Sequence, residues 1–393
     1  MYTKILIPVD NSEDSTAAVK FAVELASDIK ESPTLSALHV YAARLHNERF
    51  MEMEATLPER FQDEALLKEQ RKKHDTLITD GLRLISDSYM NEFIELCEGK
   101  TVKHNALHRE GKNYTEIISE MKEGGYDLTI MGALGLGRVE SSRIGGVTER
   151  VVRRATSDLL ITRAAAQDNG NLLVCVDGSP ASFDALRKAV AFARILKAPI
   201  EIVSAFDPDY HRVAFKSIST VLTSKDESIF NFKEQESLHD EIIDKNLAAL
   251  YQGHLDRAEE YAKAEGITVT STLLSGKPFD EILRFAEQTL PKIIFMGRTG
   301  VHATDDLDIG TNTENVLRET TTNLYLASGS FALPAKKTTD KLNWTTEGEE
   351  MLKRIPIFAR AMAKKMIEET AKREGLTEVT AEFMQRVRKD SGM

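Results

Sequence analysis

The sequence predicts an α/β protein: two tandem five-stranded parallel-sheet domains and a small C-terminal helical module. Three observations carry this. An apolar, β-branched segment closed by an acid occurs twice, as residues 4–10 (KILIPVD) and 171–177 (NLLVCVD), so that Asp10 and Asp177 stand 167 positions apart. A second apolar segment closed by glycine recurs at 128–132 and 292–297, and Gly132, Gly135 and Gly145 return as Gly297, Gly300 and Gly310 at a constant offset of 165. Between these landmarks, short apolar runs alternate with stretches whose apolar residues recur at helical spacing. That alternation calls for a parallel sheet covered by helices on both faces. A register that drifts by only two residues across a whole domain marks two copies of one fold, not a chance motif.

In the first copy, the near-continuous apolar run at 4–9 reads as a strand buried on both faces. Ser12 or Ser15 caps the next helix, whose Ala18, Phe21, Ala22 and Leu25 fall on one side. Residues 34–41 make the second strand, and a long polar stretch at about 44–98 holds at least one helix. Strand three falls at about 101–107, a helix at 114–122, strand four at 127–131, a helix from Gly146, and the last strand at 159–162. The second copy follows with a helix at 181–196, strand 200–205, a long insert at 207–264, strand 269–274, helix 279–288, strand 293–296, helix 314–319 and strand 324–327. The expected domains are 1–166 and 169–330, joined by a linker at 164–170; a second linker at 329–340, with Pro334 and two lysines, leads to a helical tail at 340–393.

The 393-residue chain has a net charge of −11, which argues against nucleic acid or an anionic membrane as the main partner. From Lys336 onward, 13 Lys+Arg face 10 Asp+Glu, so the tail is mildly basic on an acidic body. Two cysteines, Cys97 and Cys175, make neither a disulfide framework nor a zinc set and suit a reducing compartment. The N-terminal apolar run is too short for a signal peptide and ends in an acid. No apolar stretch approaches the ~20 residues of a membrane span. A cytoplasmic location is therefore expected.

After strand four, the first copy carries Gly132, Gly135, Gly145 and Gly146, and the second carries Gly297, Gly300, Gly310, Thr311 and Asn312. Glycines permit positive φ and let a ligand approach the backbone. The helix that follows offers unpaired N–H groups and the positive end of its dipole, a cradle for phosphate. Thr311 adds a hydroxyl donor. Asp10 and Asp177 end the first strand of each copy and reach the same crevice beyond the carboxyl ends of the strands. A carboxylate or neighbouring backbone there can take adenine or ribose.

An acid after strand one and Gly-x2-Gly-x9-Gly-Ser/Thr after strand four resemble the ATP-binding members of the universal stress protein family, which has a Rossmann-like, adenine nucleotide alpha hydrolase-like fold. The second copy carries the full pattern through Gly297, Gly300, Gly310 and Thr311; the first has Gly146 where the family has a hydroxyl. The resemblance covers residues 1–330 or so. It implies ATP as ligand, a stress-response role, and a backbone contact to adenine from the end of strand two, at Val40 and Ala205. It also implies a pseudo-dimer in which the copies pack through the last strand of each. Asp305, Asp306 and Asp308 lie in the second glycine loop. They would repel a triphosphate unless Mg²⁺ stood between, which makes them weak metal candidates.

Other constellations carry less. His39 and His104 read as satisfied structural groups at strand positions, and the remaining histidines show no metal-ligand spacing. Cys175 reads as a buried small hydrophobe; Cys97, near a helix end, is expected to be accessible. Lys112 and Lys277 follow Gly111 and Gly276 and read as solvent-facing. With no nucleophile elbow, Walker lysine or evident general base, at most a slow ATPase is expected. Phe50, Met51, Met53 and Phe61 in the first insert, and Phe215, Ile218, Val221, Leu222, Phe230 and Phe232 in the second, exceed what an exposed loop needs. They read as covering the sheet edge or the partner domain, or as an interaction surface or lid.

In the tail, residues 342–352 suggest a short helix, Pro356 opens a second with Phe358, Met362, Met366 and Ile367 inward, Gly375 stops it, and Thr380 caps a third with Phe383, Met384 and Val387 inward. Trp344, Pro356, Phe358, Arg360 and the Gly375–Thr380 turn are similar to the C-terminal module of the light-independent protochlorophyllide reductase B subunit. That resemblance implies recognition of a redox or tetrapyrrole-related partner; without the cysteine-ligated cluster it implies no reductase activity. A packing appendage is the alternative. For the whole chain the expected function is an adenine-nucleotide-binding stress or regulatory protein that acts through conformation or partner choice. The alternative is a nucleotide-free scaffold working through its inserts and tail.

Overall fold

The computed structural model describes residues 2–61, 63–139, 141–209, 217–218, 220–221, 244–304, 308–334, 342–353, 355, 360, 363–364, 366–368, 370–371, 374, 376 and 378–390. It divides into two compact units, Met1–Leu333 and Pro334–Met393. The first copy runs β1 (Lys4–Pro8), α1 (Glu13–Asp28), β2 (Thr34–Tyr41), α2 (Ala43–Met53), α3 (Glu64–Gly99), β3 (His104–Glu110), α4 (Asn113–Gly124), β4 (Leu128–Gly132), α5 (Gly146–Arg154) and β5 (Asp158–Thr162). The second runs β6 (Leu172–Cys175), α6 (Pro180–Leu196), β7 (Ile200–Phe206), α7 (Asp244–Ala264), β8 (Val269–Ser275), α8 (Pro278–Thr289), β9 (Ile293–Gly297), α9 (Thr311–Glu319) and β10 (Asn323–Ala327).

The two five-stranded halves are one continuous sheet of ten strands, in the order β3-β2-β1-β4-β5-β10-β9-β6-β7-β8. Pairing is parallel within each half, as crossover helices require, and antiparallel only at the seam, where Leu160 faces Tyr325. Those two positions are equivalents at the 165 offset, so the seam is a pseudo-two-fold axis. Successive strand residues feed opposite cores: Ile5 and Ile7 join one, Leu6 the other. Ser12 is the N-cap of α1, accepting from the Ser15 N–H at 3.2 Å; Ser179 caps α6 in the same way, accepting from the Ser182 N–H at 3.1 Å.

The symmetry is broken at the seam by a buried polar cluster. Asp158, whose equivalent is Asn323, accepts from the Tyr325 hydroxyl (2.7 Å), from the Ser328 N–H and hydroxyl (both 2.9 Å), and pairs with Lys188 at 2.6 Å. Tyr2 and Tyr325 share a 2.6 Å hydroxyl contact. Burial pushes the Asp158 carboxyl up, but the Lys188 ammonium and the converging donors outweigh it and hold the group below its usual range.

Several expectations need adjustment. The first insert is dominated by one helix of 36 residues, and β3 begins at His104, later than expected, because α3 continues to Gly99. Cys97 on that helix is fully buried, and burial pushes its thiol up to about 12; the expectation of an accessible thiol is corrected. In the tail, Asn343–Trp344 forms a short parallel bridge with Glu378–Val379 instead of opening a helix, and α10 spans Thr346–Lys353. α11 (Ala381–Asp390) is capped by Thr380, whose hydroxyl accepts from the Phe383 N–H at 3.2 Å, and Phe383, Met384 and Val387 are buried with Leu342, Ile367 and Val379. Pro356, Phe358, Met362 and Gly375 lie outside the described residues, as do Phe215, Leu222, Phe230 and Phe232 of the second insert. No helix among the described residues is long and apolar enough to cross a membrane.

Candidate functional site

Each copy has a cavity where its strand order reverses, beyond the carboxyl ends of β1 and β4 or of β6 and β9, the position at which doubly wound sheets bind ligands. The first has a volume of about 370 Å³ and the second about 440 Å³. Asp10, Val40, Gly132, Gly135, Gly145 and Gly146 border the first; Asp177, Ala205, Gly297, Gly300, Gly310, Thr311 and Asn312 border the second. The structure thus gathers the strand-end residues and the glycine-motif residues, though not Asp308 of the second loop, around two crevices.

The glycines work by close approach, not by positive φ. None of these loop glycines has φ in the left-handed region, whereas Gly178, Gly111 and Gly276 do. A Cβ on Gly132 would lie 2.8 Å from the backbone of Asp14 and Ser15, and one on Gly297 2.8 Å from that of Ala181. These two let α1 and α6 press on the sheet. A Cβ on Gly135 or Gly300 would collide with the carboxylate of Asp10 or Asp177.

Those carboxylates are the hooks of the loops. Asp10 Oδ1 accepts from the Ser12 N–H (3.1 Å) and hydroxyl (2.6 Å), while Oδ2 accepts from the Leu136 N–H at 3.3 Å. Asp177 repeats this with Ser179 (2.9 and 2.5 Å) and with the Val301 N–H (3.3 Å). Each loop is closed by a second bond, from the Gly145 N–H to the Ala133 carbonyl (2.8 Å) or from the Gly310 N–H to the Arg298 carbonyl (2.9 Å).

The loops thereby aim two helix N-termini into the cavities. Gly145 and Gly310 are the N-caps of α5 and α9 and supply no side-chain bond. The first helical bonds are made only by the N–H groups of Glu149 and Glu314. The N–H groups of Gly146, Val147 and Thr148, and of Thr311, Asn312 and Thr313, have no acceptor among the described residues. Thr148 and Thr313 turn their hydroxyls back to the Gly132 and Gly297 carbonyls, each at 2.9 Å. Three bare amides at a dipole's positive end are a chemistry that can receive an anion.

The remaining candidates fall elsewhere. Asp308 is held by Arg153 of the first copy at 3.1 Å and does not border the cavity, and Asp305 and Asp306 lie outside the described residues. Among the described residues no cluster of three His, Cys, Asp or Glu side chains can hold a metal. Lys112 and Lys277 precede α4 and α8 and do not border either cavity.

Sequence reading missed several groups. Arg138 and Arg150 border the first cavity, and Tyr251 of α7 borders the second beside Phe206, with ring centroids 6.0 Å apart. Arg150 was findable, four residues beyond Gly146 and so above it on the helix; Tyr251 comes from an insert whose docking no motif signals. A third miss is a buried relay: the Ser86 hydroxyl of α3 bonds His39 Nδ1 (2.8 Å) and His108 Nδ1 (2.6 Å), residues paired across β2 and β3. Burial, then the neighbouring His108, lowers His39 below the ordinary imidazole range, against an opposing pull from Asp10.

Comparison with known proteins agrees with this geometry. The universal stress protein family model matches residues 1–163 and again 169–327, and the model described as the proto-chlorophyllide reductase 57 kD subunit matches 344–388. Universal stress protein YxiE of Bacillus subtilis (strain 168) is 27% identical over 163 residues, 42% of this chain and 100% of that protein. The crystal structure of a universal stress protein from Archaeoglobus fulgidus DSM 4304 shares the fold, with a TM-score of 0.51 at 18% identity, over 83% of this chain and 98% of that one. A putative universal stress protein from Pseudomonas aeruginosa UCBPP-PA14 likewise matches with a TM-score of 0.51 at 15% identity, over 83% of this chain and 93% of that one.

Proposed function

The chain belongs to the universal stress protein family, and from that premise we propose that it is an ATP-binding stress-response regulator that acts by conformational or partner control. The observation that carries this reading is the pair of capless helix N-termini, each presenting three unbonded amides to a cavity at the strand-order switch. An adenine nucleotide fits these surroundings. Cavities of 370 and 440 Å³ are of ligand size. The glycines let the loops close tightly on Asp10, Asp177 and the neighbouring helices, and apolar β2 and β7 residues, Val40 and Ala205, border the cavities where a base would lie.

In this reading the chain's residues bind and orient rather than catalyse. The amides and dipoles of α5 and α9 hold phosphate, and Asp10 and Asp177 keep the loops in shape. Ligand in either cavity then bears on the seam, because α5 and α9 clasp each other through Arg153–Glu314 and Arg318–Glu149. The reduced, buried cysteines suit action in the cytoplasm.

Heating the purified full-length chain and identifying released small molecules tests the reading. ATP, ADP or AMP in the supernatant is the expected result. Absence of all three, together with no heat of binding on titration with any of them, would sink it. Exposed Met51 and Met53 on α2 and Leu77 and Leu84 on α3 favour a second role for the first insert as a protein contact surface.

A further inference from the structure

We propose that the two cavities divide labour: the first takes adenine nucleotides by their phosphates and prefers the triphosphate, while the second takes the adenine base and is indifferent to phosphate number. This rests on the nucleotide reading above and specifies the ligand of each site.

The argument begins with charge at equivalent positions. Arg138 and Arg150 border the first cavity; at the 165 offset their counterparts are Ala303 and Asn315. No lysine or arginine is among the described residues bordering the second cavity. The loop from Gly135 to Gly145 carries Arg138, Arg143 and Glu140, a charge of +1, whereas the loop from Gly300 to Gly310 carries Asp305, Asp306 and Asp308, a charge of −3. By sequence the two glycine loops thus carry opposite net charge, and among the described residues arginine borders only the first cavity.

The guanidiniums are available to a ligand. Arg150 touches the Gly146 carbonyl at 3.2 Å and lies over the Tyr114 ring at 5.2 Å; Glu149 acts on it electrostatically, without a direct ion pair among the described residues. Arg138 pairs with Glu13 at 3.1 Å, but both side chains are exposed and such a pair exchanges readily for phosphate. The first position of α5 is Gly146, where a Cβ would lie 3.3 Å from the Arg150 guanidinium, so no side chain at that position separates Arg150 from the helix terminus.

The second cavity offers a different grip. Thr299, Thr311 and Asn312 replace Leu134, Gly146 and Val147, giving neutral donors and acceptors at the phosphate end. At the base end α7 brings in Tyr251, packed beside Phe206 and His254. Among the described residues, no aromatic ring borders the first cavity. A base can stack on Tyr251 whatever phosphates it bears.

Calorimetric titration of the full-length chain with ATP, ADP, AMP and adenosine, with and without Mg²⁺, tests this. Two classes of site are expected: one weakening by at least about tenfold from ATP to AMP, the other changing by less than about threefold from ATP to AMP. Arg138→Ala with Arg150→Asn, which writes the second copy's residues into the first, should erase the phosphate preference. Tyr251→Ala should weaken only the second class, by about tenfold. Ala303→Arg with Asn315→Arg should create a preference for ATP at the second site. Unchanged thermal melting shows that each variant is folded. Equal preference for ATP at both sites, with or without Mg²⁺, overturns the division of labour while leaving the nucleotide reading intact, as does an arginine-free first site that still prefers ATP. No binding of any of the four ligands to the unaltered chain overturns both.

Discussion

Ser86 shows what a single hydroxyl does in this protein. It is fully buried and stands between two imidazoles; its hydroxyl has a single proton, so at least one of the two Nδ1 atoms must donate to it. Ser86→Ala leaves both ring nitrogens without that partner, an expected cost of about 1–3 kcal/mol, read as a lower urea midpoint. His39 responds to pH through the same contact. Its folded pKa lies below the ordinary 6.5. The unfolded chain therefore binds the proton first, so the contribution of His39 is complete above the unfolded value and is lost as pH falls through the lower folded one. Urea midpoints should drop between about pH 7 and 5, and His39→Gln should flatten part of that slope. His254, lowered chiefly by burial, adds to the trend.

At the scale of elements, α5 and α9 end at their N-termini in amides that nothing caps, a local cost that ordinary helices remove with a side chain. Stability and binding therefore pull apart here. Gly146→Asp places an acid at the first helical position, beside Arg150, and should stabilise α5 by about 0.3–1 kcal/mol. The same carboxylate competes for the anion site, so the melting temperature should hold or rise while ATP affinity at the first cavity falls. Loss of both together would show that the glycine serves packing alone.

At the scale of the molecule, the seam turns two domains into one sheet. Its antiparallel β5–β10 pairing is flanked by a reciprocal charge cluster, Arg153 and Arg318 against Glu149 and Glu314, and by the buried Asp158 network. Asp158→Asn removes the charge that faces Lys188 and weakens the acceptor for Tyr325 and Ser328. An expected destabilisation of about 3–5 kcal/mol follows from leaving an ammonium uncompensated in the interior. Differential scanning calorimetry should show a lower and broader transition; an unchanged trace would mean that the network is incidental.

The duplication, the alternation of strand and helix, and the glycine loops were legible in the residues, because each depends on local pattern: apolar runs, cap residues and glycine spacing recur wherever the backbone must repeat a shape. Asp10, Asp177 and the loop glycines could be placed beside one another because a doubly wound sheet brings its strand ends to one edge. Tertiary structure alone decided the rest. It alone made the φ values ordinary and gave the glycines a packing role, buried Cys97 under the sheet, and turned Asp308 to Arg153. It alone carried Tyr251 from a distant insert to the second cavity and set Arg150 over the first. These outcomes depend on contacts between segments far apart in the chain, whose energies no local pattern encodes.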